Sequence, residues 1–478
     1  MGAEEKLKQL EGVGKDYKYG FTTDTKYKYD FGEGISEELV KKISEIKQEP
    51  EWMLNLRLDA YKEFVRRATP TWGYPDLVKD IDFSKFYYYS PPDSPFTNDW
   101  EKIPKEIKDT YEKLGVPEAE RKILAGSLSV FDSDSVVAKL RKEWEDKGVI
   151  FTDVDTALKK YPEIVKKYFM KAVPFTDNKF SALHGAVWSG GSFIYIPPGV
   201  KIDTPLQTYF RMNKKSGAQF EHTLIIADKE SEVTYVEGCS SPIFEPDNKA
   251  LHAAVVEVFV EENARVKFIS AENWSRNVYN LNTKRAIVGK NAHMEWVEAT
   301  LGSKVTMLYP ASYLRGEGAS SSSLTISFAQ PGTWKDSGSK VIMSAPNQTA
   351  KIISKSISLG GGNSVYRGLL RINRNADRAK AYTQCDSLLL DENASTSTFP
   401  HNEVLNSGAK VYHEATVGKI SKEKLFYLMS RGVTEAQARS LIVLGFLDTV
   451  LKEIPLEFAV EINRLIETEI STLPGATG

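Results

Sequence analysis

Val255-Val256-Glu257-Val258-Phe259-Val260 and Glu232-Val233-Thr234-Tyr235-Val236 set β-branched and aromatic residues in two-residue alternation, the period of a strand with one face turned inward. Gly, Asn and Asp punctuate such runs from about Ala172 to Ile420. Within this block a short Ala- or Ser-containing turn repeatedly leads into an alternating strand. With Val233, Val266, Met294, Ile352, Ala381 and Val411 taken as equivalent, the separations are 33, 28, 58, 29 and 30 residues; 58 is two periods, and the missing copy falls near Ser323. A period near 30 without helices between the strands predicts a sheet wound into stacked coils. The expected fold is α+β and mostly β: a right-handed β-helix, or solenoid, flanked by helical regions. A β-sandwich is the competing fold, but its strands recur at shorter spacing.

Three segments follow: a helical N-terminal region over residues 1–171, the β-helix core over 172–420 and a C-terminal helical region over 421–478. In the first, Met53, Leu54, Leu58, Tyr61 and Val65 predict a helix over Glu51 to Arg67, and Ser133 to Lys147 reads as another. Tyr87-Tyr88-Tyr89-Ser90-Pro91-Pro92 reads as an extended loop. In the last, Thr434 with Gln437 forms a capping-box signature ahead of Leu441, Leu444, Leu447 and Leu451, and Pro455 opens a further helix, Leu456 to Thr472. Periodicity leaves open whether these helices pack on each other or dock a partner.

Among the 478 residues, 62 basic and 64 acidic side chains nearly cancel, so nothing favours a nucleic acid as partner. Met1 to Leu10 lacks an apolar signal core and no apolar run is long enough to span a bilayer, which predicts a cytoplasmic protein without membrane attachment. The two cysteines, Cys239 and Cys385, are too few for a disulfide framework and fit a reducing compartment. Gly332 to Lys340 misses the spacing and order of a phosphate loop, and Gly360 to Gly362 more simply make a solenoid turn, so ATP hydrolysis is not expected of this chain.

Thiol chemistry must therefore involve Cys239 or Cys385. His413 and Glu414 follow Cys385 by 28 and 29 residues, close to one coil, which brings a Cys, a His and a carboxylate together as a mixed ligand set for iron. Neighbouring strand residues point opposite ways, so strict register favours His413 unless a bulge intervenes. Cys239 precedes Ser240-Ser241-Pro242, a strand end that a partner could reach, and its polar neighbours Glu237 and Ser240 argue against full burial. His184, His222, His252 and His293 read as structural or surface groups.

Several blocks carry a resemblance to the SufB group of the SufB/SufD proteins of iron-sulfur cluster assembly. They include Glu49 to Leu54, Gly191 to Pro197, Val236-Glu237-Gly238-Cys239, Thr383 to Leu389, His413-Glu414-Ala415-Thr416 and Pro455 to Val460. The resemblance implies a scaffold for a transient iron-sulfur cluster, with Cys239 as sulfur acceptor and Cys385, His413 and Glu414 at the assembly site. It implies a sulfur path through the β-helix past Arg211, Asn213, Trp274 and Lys284, with Glu272 standing where many relatives carry Gln. The implied partners are the ATPase SufC, docked on the C-terminal helices, a second SufB or a SufD-type subunit, a cysteine desulfurase or its sulfur carrier, and recipient apoproteins. Whether a reduced flavin binds stays open. Ala415 to Ile420 and Leu425 to Gly432 look closer to SufD, so a SufD-like structural partner competes with the scaffold, as does a β-helical polysaccharide enzyme. Retention of both cysteines favours the scaffold, and the enzyme would call for a secretion signal and clustered acid-base groups on one exposed face.

Overall fold

The chain is described by a computed structural model over residues 20–113, 124–245 and 247–454, with Ala459, Asn463, Arg464, Ile466 and Ile470 beyond. The alternating runs form strands because one side of each meets a shared interior. Leu206–Arg211, Glu232–Ser240, Arg265–Trp274, His293–Gly302, Ser320–Ala329, Thr349–Ser358, Lys380–Leu389 and Lys410–Lys419 stack in parallel as one wall. A second wall runs from His222–Ala227 through Val255–Val260, Thr283–Val288 and Ala311–Leu314 to Lys340–Met343, and a third from Ala218–Gln219 through Ala250–His252, Val278–Leu281 and Val305–Leu308 to Trp334–Ser337. Asn363–Ile372 is long enough to pair with both Trp334–Ser337 and Lys340–Met343, so the second and third walls merge there. The result is a β-solenoid of about eight turns. Gly360 and Gly361, at φ 58° and 82°, make the turn into Asn363–Ile372, as the triple glycine suggested.

The ladder corrects the phase of the repeat. Val233, Val266 and Met294 align, but Met294 pairs with Ser321, Ser321 with Ala350 and Ala350 with Ala381. Ser321 and Ala350 therefore occupy the positions given to Ser323 and Ile352. The slip is two residues and keeps the same face, which is why alternation alone did not expose it.

Ser133 to Lys147 is not a helix. Gly126–Phe131 and Asp134–Leu140 form an antiparallel hairpin whose first strand pairs with Leu206–Arg211, and only Lys142–Glu145 is helical. Val136 is a bulge between the paired Ser135 and Val137, and both valines are buried in one apolar group, so the segment lacks the alternation that would have marked a strand. The helix Glu51–Arg66 is present, but it buries Met53, Arg57, Ala60 and Phe64 while Val65 is 63% exposed. Arg57 is tolerated inside because it makes two 2.7 Å bonds to Glu49 and donates to the carbonyls of Ala186 and Trp188.

At the other end the capping box is present: Thr434 Oγ1 accepts from Gln437 N–H at 3.2 Å and Gln437 Oε1 from Thr434 N–H at 2.9 Å. The helix Glu435–Leu451 turns Val443 and Leu447, rather than Leu441, onto the outer face of the first wall, against the apolar group that includes Ile326, Ile357 and Leu388. The segment Leu456 to Thr472 and the block Pro455 to Val460 lie almost wholly outside the described residues, as does Met1 to Leu10. Among the described residues no helix is long and apolar enough to cross a membrane.

Gly302 ends its strand at φ 65°, and a Cβ there would stand 1.6 Å from the Trp274 carbonyl oxygen, whereas a Cβ on Gly332, at φ 73°, would meet nothing within 4 Å. Gly332→Ala should cost about 1 kcal/mol from conformation alone. Gly302→Ala should cost several times that or prevent folding. Urea unfolding of the two variants checks the contrast, and equal losses would mean that the coil spacing at Trp274 is looser than described.

Candidate functional site

Because the coils stack in register, each inward position builds a column. On the first wall Cys239 is followed by Glu272, Thr300, Ser327, Ser356 and Ser387. One inward position earlier on the same strands, Glu237 is followed by Ser270, Glu298, Thr325, Ser354 and Cys385. On the third wall Gln219, His252, Asn280, Thr306, Lys335, Ser364 and Thr396 form another. All are buried except Thr396, which is half-buried in the last coil. Other inward columns are apolar, as with Val233, Val266 and Met294. A polar strip, called the lumen below, thus runs through the packed core and joins the coils of the two cysteines, reaching one coil further to Thr208 and Gln219 on one side and to Thr396 on the other. The cysteines lie five strand steps apart along the wall, about 24 Å at the usual strand separation.

At the Cys239 end, Lys284 Nζ lies 2.9 Å from Glu298, 3.6 Å from Glu272 and 3.8 Å from Glu237, all fully enclosed. The two side-chain amides of Asn280 and Asn282 donate to Glu272 at 2.5 and 3.0 Å. His252 bridges Asn280, at 2.7 Å, and Glu221, at 2.5 Å, and its ring lies 4.4 Å from that of Trp274. Three carboxyls facing one ammonium cannot all ionise away from water. Burial pushes Glu237 up to about 7 and Glu298 up to about 8. Burial also opposes the charge on Lys284, but Glu298, Glu272 and Glu237 outweigh it and the amine is held above its usual range. The Cys239 thiol, 4.0 Å from Glu237, is pushed well up by burial and then by Glu237, Glu272 and Glu221.

At the other end Cys385 Sγ lies 3.4 Å from His413 Nε2 and 3.7 Å from the Glu414 carbonyl oxygen. The ladder from Lys380 to Leu389 has no bulge; it pairs Thr383 with His413, Gln384 with Glu414 and Cys385 with Ala415. His413 therefore faces inward beside Cys385. The Glu414 carboxylate points to the opposite face and accepts from the Tyr382 hydroxyl. Among the described residues no three His, Cys, Asp or Glu side chains converge closely enough to hold a metal ion. Burial, then Asp386, pushes the Cys385 thiol up to about 11.

The sequence matches two family descriptions: "SufBD protein N-terminal region" over residues 40–208 and "SUF system FeS cluster assembly, SufBD core domain" over residues 210–446. It is 49% identical over 463 residues to an iron-sulfur cluster assembly SufBD family protein of Staphylococcus saprophyticus, covering 97% of this chain and 98% of the relative. Similar proteins of Staphylococcus epidermidis and Staphylococcus aureus are 48% identical over the same shares. The chain belongs to the SufBD family. Its role accordingly lies in iron-sulfur cluster assembly by the SUF system.

In this SufBD protein the residues singled out from the sequence separate into two groups. Cys239, Glu272, Trp274 and Lys284 share one end of the lumen, and Cys385 with His413 forms the other. Arg211 and Asn213 lie outside it. Arg211 faces away from the interior, donating to Ser240 Oγ at 3.1 Å and to the Phe21 carbonyl at 2.6 Å, while Asn213 clasps the backbone of Thr23 at 2.8 and 2.9 Å. Both tie residues 21–27 to the solenoid. Cys239, expected to be partly open, is 2% exposed, because it faces inward on its strand and is stacked between Phe210 and Glu272 of the neighbouring coils. Glu272 is a partner of Lys284. Glu257 accepts the backbone N–H groups of Met170, Ala172 and Val173 and faces the buried pair His222 and His184. His252, read as structural or surface, is in the lumen. Glu221, Asn280, Asn282 and Glu298 were missed; the 28-residue spacing from Val266 to Met294, applied to every polar residue, would have found Glu298 directly above Ser270.

The Glu298 proton gives a pH test. Unfolded, this carboxyl ionises in the ordinary range; folded, it holds its proton up to about 8. The folded state binds the extra proton between those limits, so its contribution to stability falls as pH rises through them. Glu298→Gln should flatten that fall by on the order of 1 kcal/mol between about pH 5 and about pH 8. Urea unfolding across this range would give equal slopes in both proteins if Glu298 were ionised when folded.

Proposed function

We propose that this SufBD protein is a SufB-type scaffold that accepts persulfide sulfur at Cys239 and builds an iron-sulfur cluster at Cys385, in the cytoplasm. The observation that carries the reading is the polar lumen, whose columns join the coil of Cys239 to that of Cys385, the two cysteines of the chain. A donor persulfide gives its outer sulfur to the Cys239 thiolate and leaves as a thiolate, so electrons balance without an oxidant. The thiol must first lose its proton and be uncovered, since it is enclosed and its pKa is raised. Opening of the coils that enclose Cys239 is therefore part of loading, and gives ATP turnover by a SufC-type partner a mechanical task.

At Cys385 one thiolate and one imidazole are too few for a cluster, which supports completion of the site by a second SufB-type or SufD-type subunit. The strand Lys410–Lys419, which carries His413 and Glu414, is exposed on most of both faces, and among the described residues no strand pairs with its outer edge. Glu414 would be recruited there by a shift of that edge strand. The incomplete ligand set of the single chain also favours a second reading, a SufD-like subunit that builds no cluster alone.

Reconstitution tests both. Cys385→Ser should abolish stable cluster formation, whereas Cys239→Ser should block enzymatic loading by a cysteine desulfurase yet still load with added iron and sulfide. An unchanged cluster spectrum in Cys385→Ser would overturn the assembly site, and a wild-type protein that holds no cluster in any pairing would favour the SufD-like reading.

Docking of the ATPase is assigned to the 421–478 region, where Phe426 is 74% and Tyr427 57% exposed on the helix Lys422–Met429. Deleting the whole region would also bare the wall beneath Val443 and Leu447, so a point change is the cleaner test. Phe426→Asp should weaken capture of SufC by tenfold or more, on the order of 1.4 kcal/mol, without lowering the melting temperature. Undiminished capture in a pull-down would remove this face from the interface.

A further inference from the structure

Lys335, on the strand Trp334–Ser337, is a second amine inside the lumen, and its setting differs from that of Lys284. It is fully buried. Its Nζ donates to the Gly302 carbonyl, to Ser303 Oγ at 2.8 Å and to Thr306 Oγ1 at 3.1 Å. Among the described residues no carboxylate forms an ion pair with it, whereas Lys284 is already faced by three. Burial accordingly pushes Lys335 down to about 7, against the more distant pull of Glu272.

On the same two coils, the enclosed hydroxyls of Thr300, Thr325 and Ser327 have no protein partner. Buried hydroxyls are ordinarily paired, so three without a partner, on the wall facing an amine that no carboxylate neutralises, describe a place for a polar guest. Onward from Lys335 the polar contacts are continuous. Ser364, stacked on Lys335, donates to Ser356 at 3.2 Å and Thr396 at 3.1 Å, and both meet Ser387 at 2.8 and 3.1 Å. Ser387 is the next inward residue after Cys385 on one strand.

We propose that Lys335, with the hydroxyls of Thr300, Thr325 and Ser327, is a holding site for a monovalent sulfur anion, hydrosulfide, on its way from Cys239 to Cys385. This rests on the sulfur-path reading above. The anion forms when a dithiol reduces the loaded cysteine: Cys239–S–S⁻ and the dithiol give Cys239–SH, HS⁻ and the dithiol's own disulfide. No bond to Lys335 is made or broken. The ammonium supplies the countercharge that an anion needs away from water, and at Lys284 the same anion would have to compete with Glu237, Glu272 and Glu298. The site stands three strand steps from Cys239 and two from Cys385.

The test follows sulfur through the full chain. Wild type, Lys335→Met and Cys239→Ser are incubated with a cysteine desulfurase, [35S]cysteine and dithiothreitol with iron, and label is counted on each cysteine and in the cluster over time. Lys335→Met should load Cys239 as wild type does, deliver sulfur to Cys385 about tenfold more slowly or worse, and take up added iron and sulfide normally. Its melting temperature should change little, since the loss of three hydrogen bonds is offset by removing a buried amine that has no ion partner. Wild-type delivery in Lys335→Met, with Cys239→Ser blocked, overturns the Lys335 assignment and leaves the sulfur path standing. Wild-type delivery in both overturns the path itself. Lys335→Gln, which keeps a donor but no charge, should be slowed equally; normal delivery by it would overturn the role of the charge, including where Lys335→Met does not fold.

Discussion

Register-true stacking is the constraint on which the rest depends. In the first wall eight parallel strands place each inward side chain directly over its counterpart one coil earlier, about 4.8 Å away. A lone polar residue in such a tube would be an orphan, costing about 1–3 kcal/mol. A column of polar residues can pair along the stack and across to the facing wall, as Asn280 and Asn282 do with Glu272, and Ser356 and Ser364 do with each other. Adjacent apolar columns built on Val233, Phe268 and Trp296 supply the burial that holds the tube together.

The same constraint separates the two ends by chemistry. Around Cys239 the lumen is charged, closed and tightly bonded, and the raised thiol and carboxyl pKa values describe a site that stores protons until it opens. Around Cys385 only one further coil lies above, and its strands Ser395–Val404 and Lys410–Lys419 are largely exposed, with Phe399, Tyr412 and Val417 among the bared side chains. Unpaired backbone and apolar surface on one edge are what a second chain would cover. On the proposed function, sulfur receipt belongs to the closed end and metal chemistry to the open one, a division of labour that would follow from where the stack stops.

How much of this was legible in the sequence depends on the kind of signal. Alternation exposed the strands, and the 33- and 28-residue spacings from Val233 through Val266 to Met294 were right to the residue. Register was right about His413 as well, because a parallel ladder without a bulge permits one face only. The two-residue slip at Ile352 was invisible because both phases bury the same face. The bulge at Val136, which buries it beside Val137 in one apolar group, broke the pattern that would have announced a hairpin. Arg211 and Asn213 came through family resemblance, which carries residue identity but not the direction of a side chain. Lys335 drew attention only as part of a failed phosphate loop; its meaning lies in Thr306 beneath it and Ser364 above it, positions far apart in the chain.

The central claim is that sulfur travels inside the solenoid, and selenium can report it directly. Crystals of the protein loaded by a cysteine desulfurase supplied with selenocysteine, measured at the selenium absorption edge, should show anomalous density on Cys239 and within the lumen between Lys284 and Lys335, enclosed by Thr300, Thr325 and Ser327. Selenium bound on the outer surface, or at Cys385 with none at Cys239 or along the columns, would contradict the account.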